Sequence, residues 1–251
     1  MSDESEILKK RFLELARRSY SSDIFTFTDF LGLAEQSNFE EIKRELAGIK
    51  FTLFGGVPRA ERVMIRFGDP EVIGYELSFP ISTLRIEPAS PRFAEKLGHR
   101  DYLGALLNLG IERAVLGDIV ISDSAAFVFV KEDISEYIAK NLTRVKRTDV
   151  KAWVSEPPEE SLYRTEDRII QMSGQRLDAA VAKVFNLSRE DAQLLIRKGV
   201  VFVSGKTVES QAYSPKPGDV ISVRGYGRFI YNGQVSLSRK GKLNVSVSVY
   251  V

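Results

Sequence analysis

The apolar positions in the first seventy residues predict helical segments followed by two strands. Ile7, Leu8, Phe12, Leu15 and Ala16 recur at helical spacing, so they form one face of an amphipathic helix. A second helix is expected at 30–33, capped by Thr28 or Asp29, and a third at 39–46, ending before Gly48. Two strands are expected at 51–54 and 62–67, with a turn at 55–58 between them.

The middle of the chain alternates between strand and helix patterns in the order β-α-β-β-α-β. This order is that of a ferredoxin-like sandwich, the architecture of RNA-recognition-motif (RRM) domains, and it predicts an α+β protein. Phe127 and Phe129 fall on one strand without the basic and glycine residues of an RRM signature, so we predict that both belong to the core. The predicted strands are 76–86, 114–121, 125–130 and 144–150, and the predicted helices are 91–109 and 133–142.

The last part of the chain predicts two short helices followed by a small sheet. Leu177 begins an apolar stripe at helical spacing, and Ser188 has the position of an N-cap for a second helix that ends before Gly199. A hairpin turns at Ser204-Gly205, and a strand follows the turn at 217–219. Residues 243–251 alternate as a strand that is either an exposed edge or paired internally.

A polar, acidic segment with a Pro-Pro pair at 155–167 has the composition of a linker. The sequence therefore predicts an N-terminal α/β region at 1–74, an RRM-like domain at 75–154, the linker, and a C-terminal domain at 168–251.

Charge is distributed unevenly along the chain. The net charge is only +2, yet residues 168–251 carry 13 Lys and Arg against five acidic residues, a net charge of +8, and residues 1–167 carry a net charge of −6. Such asymmetry is typical of a module that binds a polyanion. Arg176 and Arg189 lie at the starts of the two C-terminal helices, where a cation opposes the helix dipole unless an anion compensates it. Phosphate is the favoured anion, and the alternative is that each arginine lies out in water or pairs with a carboxylate.

Composition also limits the chemistry. The chain has no cysteine and one histidine, so disulfides and thiolate zinc sites are excluded. The polar N-terminus and the short apolar runs predict a cytoplasmic protein that does not span a membrane. His99-Arg100-Asp101 lacks the asparagine of a kinase catalytic loop, and the Gly-Lys-Thr at 205–207 follows a strand rather than a phosphate-binding loop. We therefore expect a non-enzymatic protein with no cofactor and no metal.

The C-terminal pattern resembles the S4 RNA-binding domain. The matching residues are Arg176-Leu177-Asp178, Ser188-Arg189, Ala192, Leu195-Ile196, Gly199, Val201, Val203, Gly205 and Gly218-Asp219. Ser204 stands where many members of that family have Asn, and either residue suits a turn. The resemblance implies that the helices and the hairpin contact structured RNA through Arg176, Ser188, Arg189, Arg197, Lys198 and Lys206. Arg224 and Arg228 are expected at the sheet-side edge of the same RNA face. Separately, Arg239, Lys240 and Lys242 form a basic turn that either contacts phosphate or is simply solvated.

The remainder of the chain resembles the bacterial YlmH family. The residues that carry this resemblance include Phe54-Gly55-Gly56, Ala60-Glu61-Arg62, Pro80-Ile81, the run 99–107, Leu109 to Arg113 and Gly117-Asp118-Ile119. The resemblance implies an RRM-like domain joined to an S4 domain, association with the large ribosomal subunit, and a role at stalled complexes that hold peptidyl-tRNA. RNA (rRNA and tRNA) and the large subunit are thus the implied partners.

Two alternatives stay open from the sequence. One is an RNA-modifying enzyme with an unrecognised site in residues 50–150. The other is an interaction protein of cell division, with cell-division proteins as partners and accessory RNA binding.

Overall fold

A computed structural model describes residues 3–58, 60–122, 125–157 and 165–250. Its contacts divide the chain into two compact units, one formed by residues 1–162 and the other by residues 163–251. We call them the N-terminal unit and the C-terminal unit. In the part of the chain that the structure describes, no helix has the length and apolar character needed to cross a membrane.

The N-terminal unit begins with helices packed on a three-stranded antiparallel sheet of order β1-β3-β2. Phe12 of the first helix packs edge-on against Phe39 of the second, because both belong to apolar faces that turn away from water. The elements are α1 (Asp3–Ser22), β1 (Thr26–Phe27), α2 (Leu33–Ile42), β2 (Phe51–Phe54), β3 (Met64–Phe67) and α3 (Pro70–Ile73).

The predicted helix boundaries after residue 28 were wrong. Leu31 is extended and pairs with Val63, so the second helix begins only at Leu33. The helix then continues through the segment predicted as a third helix and ends in a short 3-10 turn, Lys43–Leu46. The reason is tertiary, since pairing with the strand region holds residues 30 and 31 extended.

The middle of the chain has the predicted β-α-β-β-α-β order with one short extra strand. Its five-stranded antiparallel sheet has the order β5-β6-β4-β8-β7, and without β7 this is the ferredoxin-like arrangement. The elements are β4 (Ile81–Pro88), α4 (His99–Asn108), β5 (Leu116–Ile121), β6 (Ala126–Lys131), α5 (Glu132–Asn141), β7 (Arg144–Val145) and β8 (Thr148–Ser155). The helix predicted from 91 starts at His99, because the Gly98 N–H donates a 2.8 Å capping hydrogen bond to the Asp101 carboxylate.

Phe127 and Phe129 lie in the core of the N-terminal unit, which confirms their prediction as core residues. Phe129 is fully buried and Phe127 nearly so. The ring of Phe129 lies against Gly56, where an added Cβ would approach it to 2.4 Å. The face of the sheet on which an RRM stacks bases is therefore occupied here, at Phe129, by the chain's own N-terminal region.

Arg62 and Asp118 form hydrogen bonds that connect the segments with the YlmH resemblance to one another. Arg62 donates hydrogen bonds to the backbone oxygens of Phe30, Arg113 and Leu116, at 2.8, 3.2 and 2.8 Å. Asp118 accepts hydrogen bonds from the backbone N–H groups of Glu61 and Arg62, at 2.7 and 3.1 Å. These motif residues thus connect the two sheets within one unit, whereas the sequence predicted a domain boundary at residue 74.

The C-terminal unit is a six-stranded antiparallel sheet of order β11-β10-β12-β13-β14-β9 with two helices packed on one face. Leu177, Ala180, Val181 and Ile196 of the helices are buried against alternate residues of the strands. The elements are β9 (Thr165–Met172), α6 (Leu177–Val184), α7 (Arg189–Arg197), β10 (Val201–Val203), β11 (Lys206–Thr207), β12 (Asp219–Val223), β13 (Gly227–Leu237) and β14 (Leu243–Tyr250).

Strand β9 was not predicted. It begins at Thr165, inside the segment interpreted as a linker, and β8 extends to Ser155 at the other end of that segment; residues 158–164 lie outside the described residues. Strand β9 pairs with β14 along its whole length, and β14 pairs with β13 on its other side. The C-terminal strand is therefore internal to the sheet rather than an exposed edge.

Candidate RNA interface

A buried carboxylate organises the start of helix α6. Asp178 stands in the first turn of the helix and is fully buried. The N-cap residue Arg176 forms a two-point interaction with it, from Nε to Oδ1 at 3.0 Å and from Nη2 to Oδ2 at 2.9 Å. A parallel pair of this kind fixes the plane of the guanidinium group.

Helix α7 contributes two more donors to the same carboxylate. Nε of Arg189 lies 3.3 Å from Oδ2 of Asp178, and the amide of Gln193 donates to that oxygen at 2.8 Å. Arg189 and Gln193 are four residues apart, so one helix face presents both. We call Arg176, Asp178, Arg189 and Gln193 the Asp178 cluster.

The hydroxyl of Ser188 caps helix α7, as its sequence position predicted. It accepts a hydrogen bond from the backbone N–H of Asp191 at 3.0 Å and donates one to the Asp191 carboxylate at 2.6 Å. Ser188 is exposed beside Arg189. Its hydroxyl therefore fixes the helix start that carries Arg189.

Charge in the Asp178 cluster is set by competition between burial and hydrogen bonding. Burial by itself raises the pKa of Asp178, but hydrogen bonds from Arg176, Gln193 and Arg189 outweigh it and lower the pKa to about 2. The hydrogen bond with Asp178 in turn raises the pKa of Arg176 above its usual value. One negative and two positive charges leave the cluster with a net positive charge at neutral pH.

The two arginines keep donors for a further anion. Their side chains are 39% and 49% exposed, whereas the Asp178 side chain is 0% exposed. The hydrogen bonds to Asp178 use Nε and Nη2 of Arg176 and Nε of Arg189, out of five N–H donors on each guanidinium. The sequence analysis favoured phosphate binding over solvation or pairing with a carboxylate. The structure contains the carboxylate pairing, and both guanidinium groups nevertheless stay partly exposed to solvent.

A second basic group lies where helix α7 meets the sheet. Arg197 and Lys198 are exposed at the end of the helix, before Gly199 with its positive φ of 66°. The backbone N–H of Arg224, at the end of β12, donates to the oxygen of Val200 at 3.0 Å. The structure therefore brings Arg224 next to the end of α7, although 26 residues separate Arg224 from Lys198.

Lys206 is exposed in the tight hairpin that joins β10 and β11. Both central residues of the turn have positive φ, 46° at Ser204 and 79° at Gly205, as a type I′ turn requires. The hairpin prediction is thus confirmed.

Two arginines on the sheet contact aromatic rings that the sequence interpretation did not single out. The guanidinium carbon of Arg224 lies 5.7 Å from the ring centre of Phe202, and that of Arg228 lies 4.2 Å from the ring centre of Tyr250. Asp178 and Gln193 were also missed as site residues. The available signals were the place of Asp178 in the Arg176-Leu177-Asp178 match to the S4 domain and the four-residue spacing of Gln193 from Arg189.

The basic turn at the β13–β14 hairpin is separate from these arginines. Arg239, Lys240 and Lys242 are exposed in a turn closed by a 2.8 Å hydrogen bond from Ser238 N–H to the oxygen of Lys242. Arg228 stands at the opposite end of β13, roughly 30 Å away along a strand that rises about 3.3 Å per residue. The structure confirms the hairpin but does not bring this turn together with Arg224 and Arg228.

Comparison with known proteins gives independent matches to both units. A family model described as "Putative RNA-binding domain in YlmH" matches residues 76–157, and a model of the S4 domain matches residues 175–221. The chain is 30% identical over 224 residues to "Ribosome-associated protein quality control protein P2" of Bacillus subtilis (strain 168), a match that covers 87% of this chain and 85% of that protein.

Two more distant similarities concern parts of the chain. A stretch of 61 residues is 41% identical to small ribosomal subunit protein uS4 of Thermoanaerobacter sp. (strain X514), which is 24% of this chain and 30% of that protein. Among solved structures, "Cell division protein ylmH from Streptococcus pneumoniae" is similar with a TM-score of 0.49 and 21% identity, over 62% of this chain and 93% of that chain.

Proposed function

The chain belongs to the YlmH family of S4-domain proteins, and from that premise we propose that it is a non-enzymatic factor that binds ribosomal RNA through the Asp178 cluster. The observation that carries the proposal is the convergence of Arg176 and Arg189 on one buried carboxylate at the starts of two helices.

The mechanism of binding follows from the order that Asp178 imposes. A free arginine loses side-chain entropy when it contacts RNA, at a cost of up to about 2 kcal/mol. Arg176 is already held in plane by two hydrogen bonds, so less of that cost remains at binding. A phosphate beside the start of α7, where Ser188 and Arg189 are exposed, would also interact favourably with the dipole of that helix.

The basic residues at the end of α7 and in the β10–β11 hairpin extend this surface. Arg197, Lys198 and Lys206 are exposed, as sequential phosphate contacts along an RNA helix require. Because phosphate contacts position a protein without reading bases, these residues would set the register of the unit on a structured RNA.

We infer further that the physiological target is the large ribosomal subunit carrying a stalled peptidyl-tRNA. Support comes from the name of the Bacillus subtilis relative, which places that protein in ribosome-associated quality control. The similarity to uS4 covers only the S4 stretch and names a protein of the small subunit, so the choice of subunit is the critical test.

Co-sedimentation with separated ribosomal subunits tests this function. The full-length protein is centrifuged with small subunits, with large subunits, and with large subunits that carry peptidyl-tRNA in the P site, across a salt series. Selective binding to large subunits, tighter with peptidyl-tRNA, is the expected result. Equal and salt-sensitive binding to both subunits would contradict the large-subunit assignment, and no binding to either would contradict the ribosomal function.

A further inference from the structure

The six-stranded sheet of the C-terminal unit has one face that its helices do not cover. Alternate residues of the strands point into the core beneath α6 and α7, among them Phe229, Tyr231, Val247 and Val249. Their neighbours point to the opposite side, which we call the open face. Its residues are partly or fully exposed, and Ile169 of β9 is 62% exposed there.

One row of residues crosses the open face and carries two aromatic rings and an arginine. Phe202 of β10 stands opposite Ser222 of β12, and Ser222 stands opposite Arg228 of β13. Arg228 in turn stacks on Tyr250 of β14. Neighbouring strands are about 4.8 Å apart, so Phe202 and Tyr250 stand roughly 14 Å apart, a distance that two or three stacked or splayed nucleotides span.

The row is continuous with the basic surface at the end of helix α7. Arg224 contacts both Phe202 through its guanidinium and Val200 through its backbone N–H, and Val200 follows Lys198 by two residues. Arg224 therefore lies between the end of α7 and the strand position, Ser222, that pairs with Arg228.

Polar groups beside the row can form hydrogen bonds with bases or ribose. Ser248 and Ser246 lie within 2.9 and 3.4 Å of the Asn232 amide nitrogen on the same face. The carboxylate on this face near them is Asp167, which accepts a 2.6 Å hydrogen bond from Ser248. Asp167 is on β9, whereas Ser248 is on β14, the strand next to the one that carries Arg228. The carboxylate is therefore one strand further from Arg228 than Ser248 is.

We propose that this row binds unpaired nucleotides of the RNA whose structured part is held by the Asp178 cluster. Bases stack on the rings of Phe202 and Tyr250, and the phosphates between them contact Arg224 and Arg228. The inference rests on the proposed function for its ligand. It adds a second surface, on the opposite face of the sheet, with a preference for single-stranded RNA.

The test compares two RNA probes. One is an RNA hairpin with a 3′ extension of about six uridines, within the usual range of single-strand site sizes, and the other is the same hairpin without it. Full-length wild-type protein is expected to bind the extended hairpin at least roughly thirtyfold more tightly, the gain of two base-stacking contacts. The double variant Phe202→Thr, Tyr250→Thr keeps net charge and strand-forming side chains, and it is expected to lose most of this preference, keeping only the smaller share that Arg224 and Arg228 contribute through the phosphates of the extension.

Two controls make the result specific. Ile169→Thr removes an exposed aliphatic side chain from the same open face and should leave the preference for the extended probe intact. Leu237→Thr removes an exposed aliphatic side chain at the far end of β13 and should do the same. Should the Thr variant fail to fold, 4-thiouridine in the extension provides a measurement on the unaltered protein, since ultraviolet crosslinks are expected on the peptides that contain Phe202 or Tyr250.

Several outcomes overturn the proposal. Equal wild-type affinity for both probes, a preference retained in full by the folded Thr variant, or crosslinks confined to other peptides would each do so. Unchanged RNA binding with lost ribosome co-sedimentation in the Thr variant would assign the face to a protein instead. Failure of the blunt hairpin to bind at all would instead count against the Asp178 cluster, so the two proposals are distinguishable.

Discussion

The guanidinium group of Arg176 and the carboxylate of Asp178 are joined by two hydrogen bonds although only Leu177 separates them in the chain. The arginine stands outside the helix as its N-cap, and the aspartate lies inside the first turn with no exposed surface. Arg189 reaches the same carboxylate from a second helix. A buried anion at a pair of helix starts thus holds two cations at the surface.

Asp178→Asn should lower the stability of the C-terminal unit in a pH-dependent way. The pKa of the folded carboxyl is about 2 against an ordinary 3.8, so its ionised form stabilises the fold above pH 4, by on the order of 2 kcal/mol. This contribution is lost as pH falls from about 4 to about 2. Urea unfolding followed by circular dichroism measures the free energy of unfolding. The difference in this free energy between wild type and variant should be full at pH 7 and should disappear as the pH falls from about 4 to about 2.

The control for this prediction is Glu190→Gln, which removes one exposed carboxylate from the first turn of α7. It should change stability by less than about 0.5 kcal/mol. If the difference in unfolding free energy between wild type and Asp178→Asn stayed constant from pH 7 to pH 2, the assigned role of the carboxylate would be contradicted.

Replacing Arg176 and Arg189 together by Gln should weaken RNA binding. Glutamine keeps a donor for Asp178, so the carboxylate is not left unpaired, while two charges are lost. Each lost phosphate contact reduces the slope of log affinity against log salt by about 0.7–0.9, so the double variant should lose roughly 1.5. Fluorescence anisotropy across a salt series measures both quantities.

The matched variants separate charge from geometry. Arg176→Lys with Arg189→Lys should keep the salt slope but lower affinity, because lysine cannot form the planar two-point contact. Lys183→Gln removes one exposed positive charge of α6 outside the Asp178 cluster and should leave affinity nearly unchanged. Equal losses for Lys183→Gln and for either arginine alone would mean that only total charge matters.

Arg62→Leu should destabilise the N-terminal unit by about 1–3 kcal/mol. The substitution removes the guanidinium donor to three backbone oxygens, and an unsatisfied buried group costs about 1–3 kcal/mol. The oxygens of Leu116 and Arg113 each keep a second donor, so the loss falls mainly on the oxygen of Phe30. Trp153, the one tryptophan of the chain, lies in β8 of this unit, so its fluorescence during urea unfolding reports the loss. The exposed Arg44→Leu should have an effect below about 0.5 kcal/mol, and a similar effect at both sites would refute the bridging role.

Gly56→Ala should cost more than Gly48→Ala, although both glycines have positive φ, 98° and 86°. At Gly56 a Cβ would approach the Phe129 ring to 2.4 Å, whereas at Gly48 it would meet nothing within 4 Å. The backbone penalty of about 1 kcal/mol is common to both, and overpacking adds about 1–3 kcal/mol at Gly56 alone. The same Trp153 unfolding assay decides, and equal costs would show that Phe129 moves aside.

Ser204→Asn should raise the stability of the C-terminal unit by about 0.5 kcal/mol. Ser204 has a φ of 46° at the first central position of a type I′ turn, where Asn is the preferred residue before Gly. Ser204→Val should instead lower stability by about 1–2 kcal/mol, since a β-branched residue strains at positive φ. If the urea midpoints of both variants shifted in the same direction relative to wild type, turn geometry would be excluded as the cause.

The sequence predicted most of the secondary structure where local signals are strong. The helix cap at Ser188 and the turn at Ser204-Gly205 each depend on a few adjacent residues, and both were predicted at the right positions. Strand β9 was missed because its first residues are polar and continue an acidic segment. Its residues pair with residues of β14 that lie far away in the chain, for example Asp167 with Ser248, 81 positions later. This long-range pairing is what makes the segment a strand.

The sequence by itself determined the fold class, the S4 resemblance and the excess of positive charge in residues 168–251, because all three follow from composition, periodicity and local spacing. Only the tertiary structure decided how the charges are used. It brought Arg189 to Asp178 across two helices and Arg228 onto Tyr250 across two strands. Contacts between residues distant in the chain depend on how elements pack, and no short-range pattern encodes that packing.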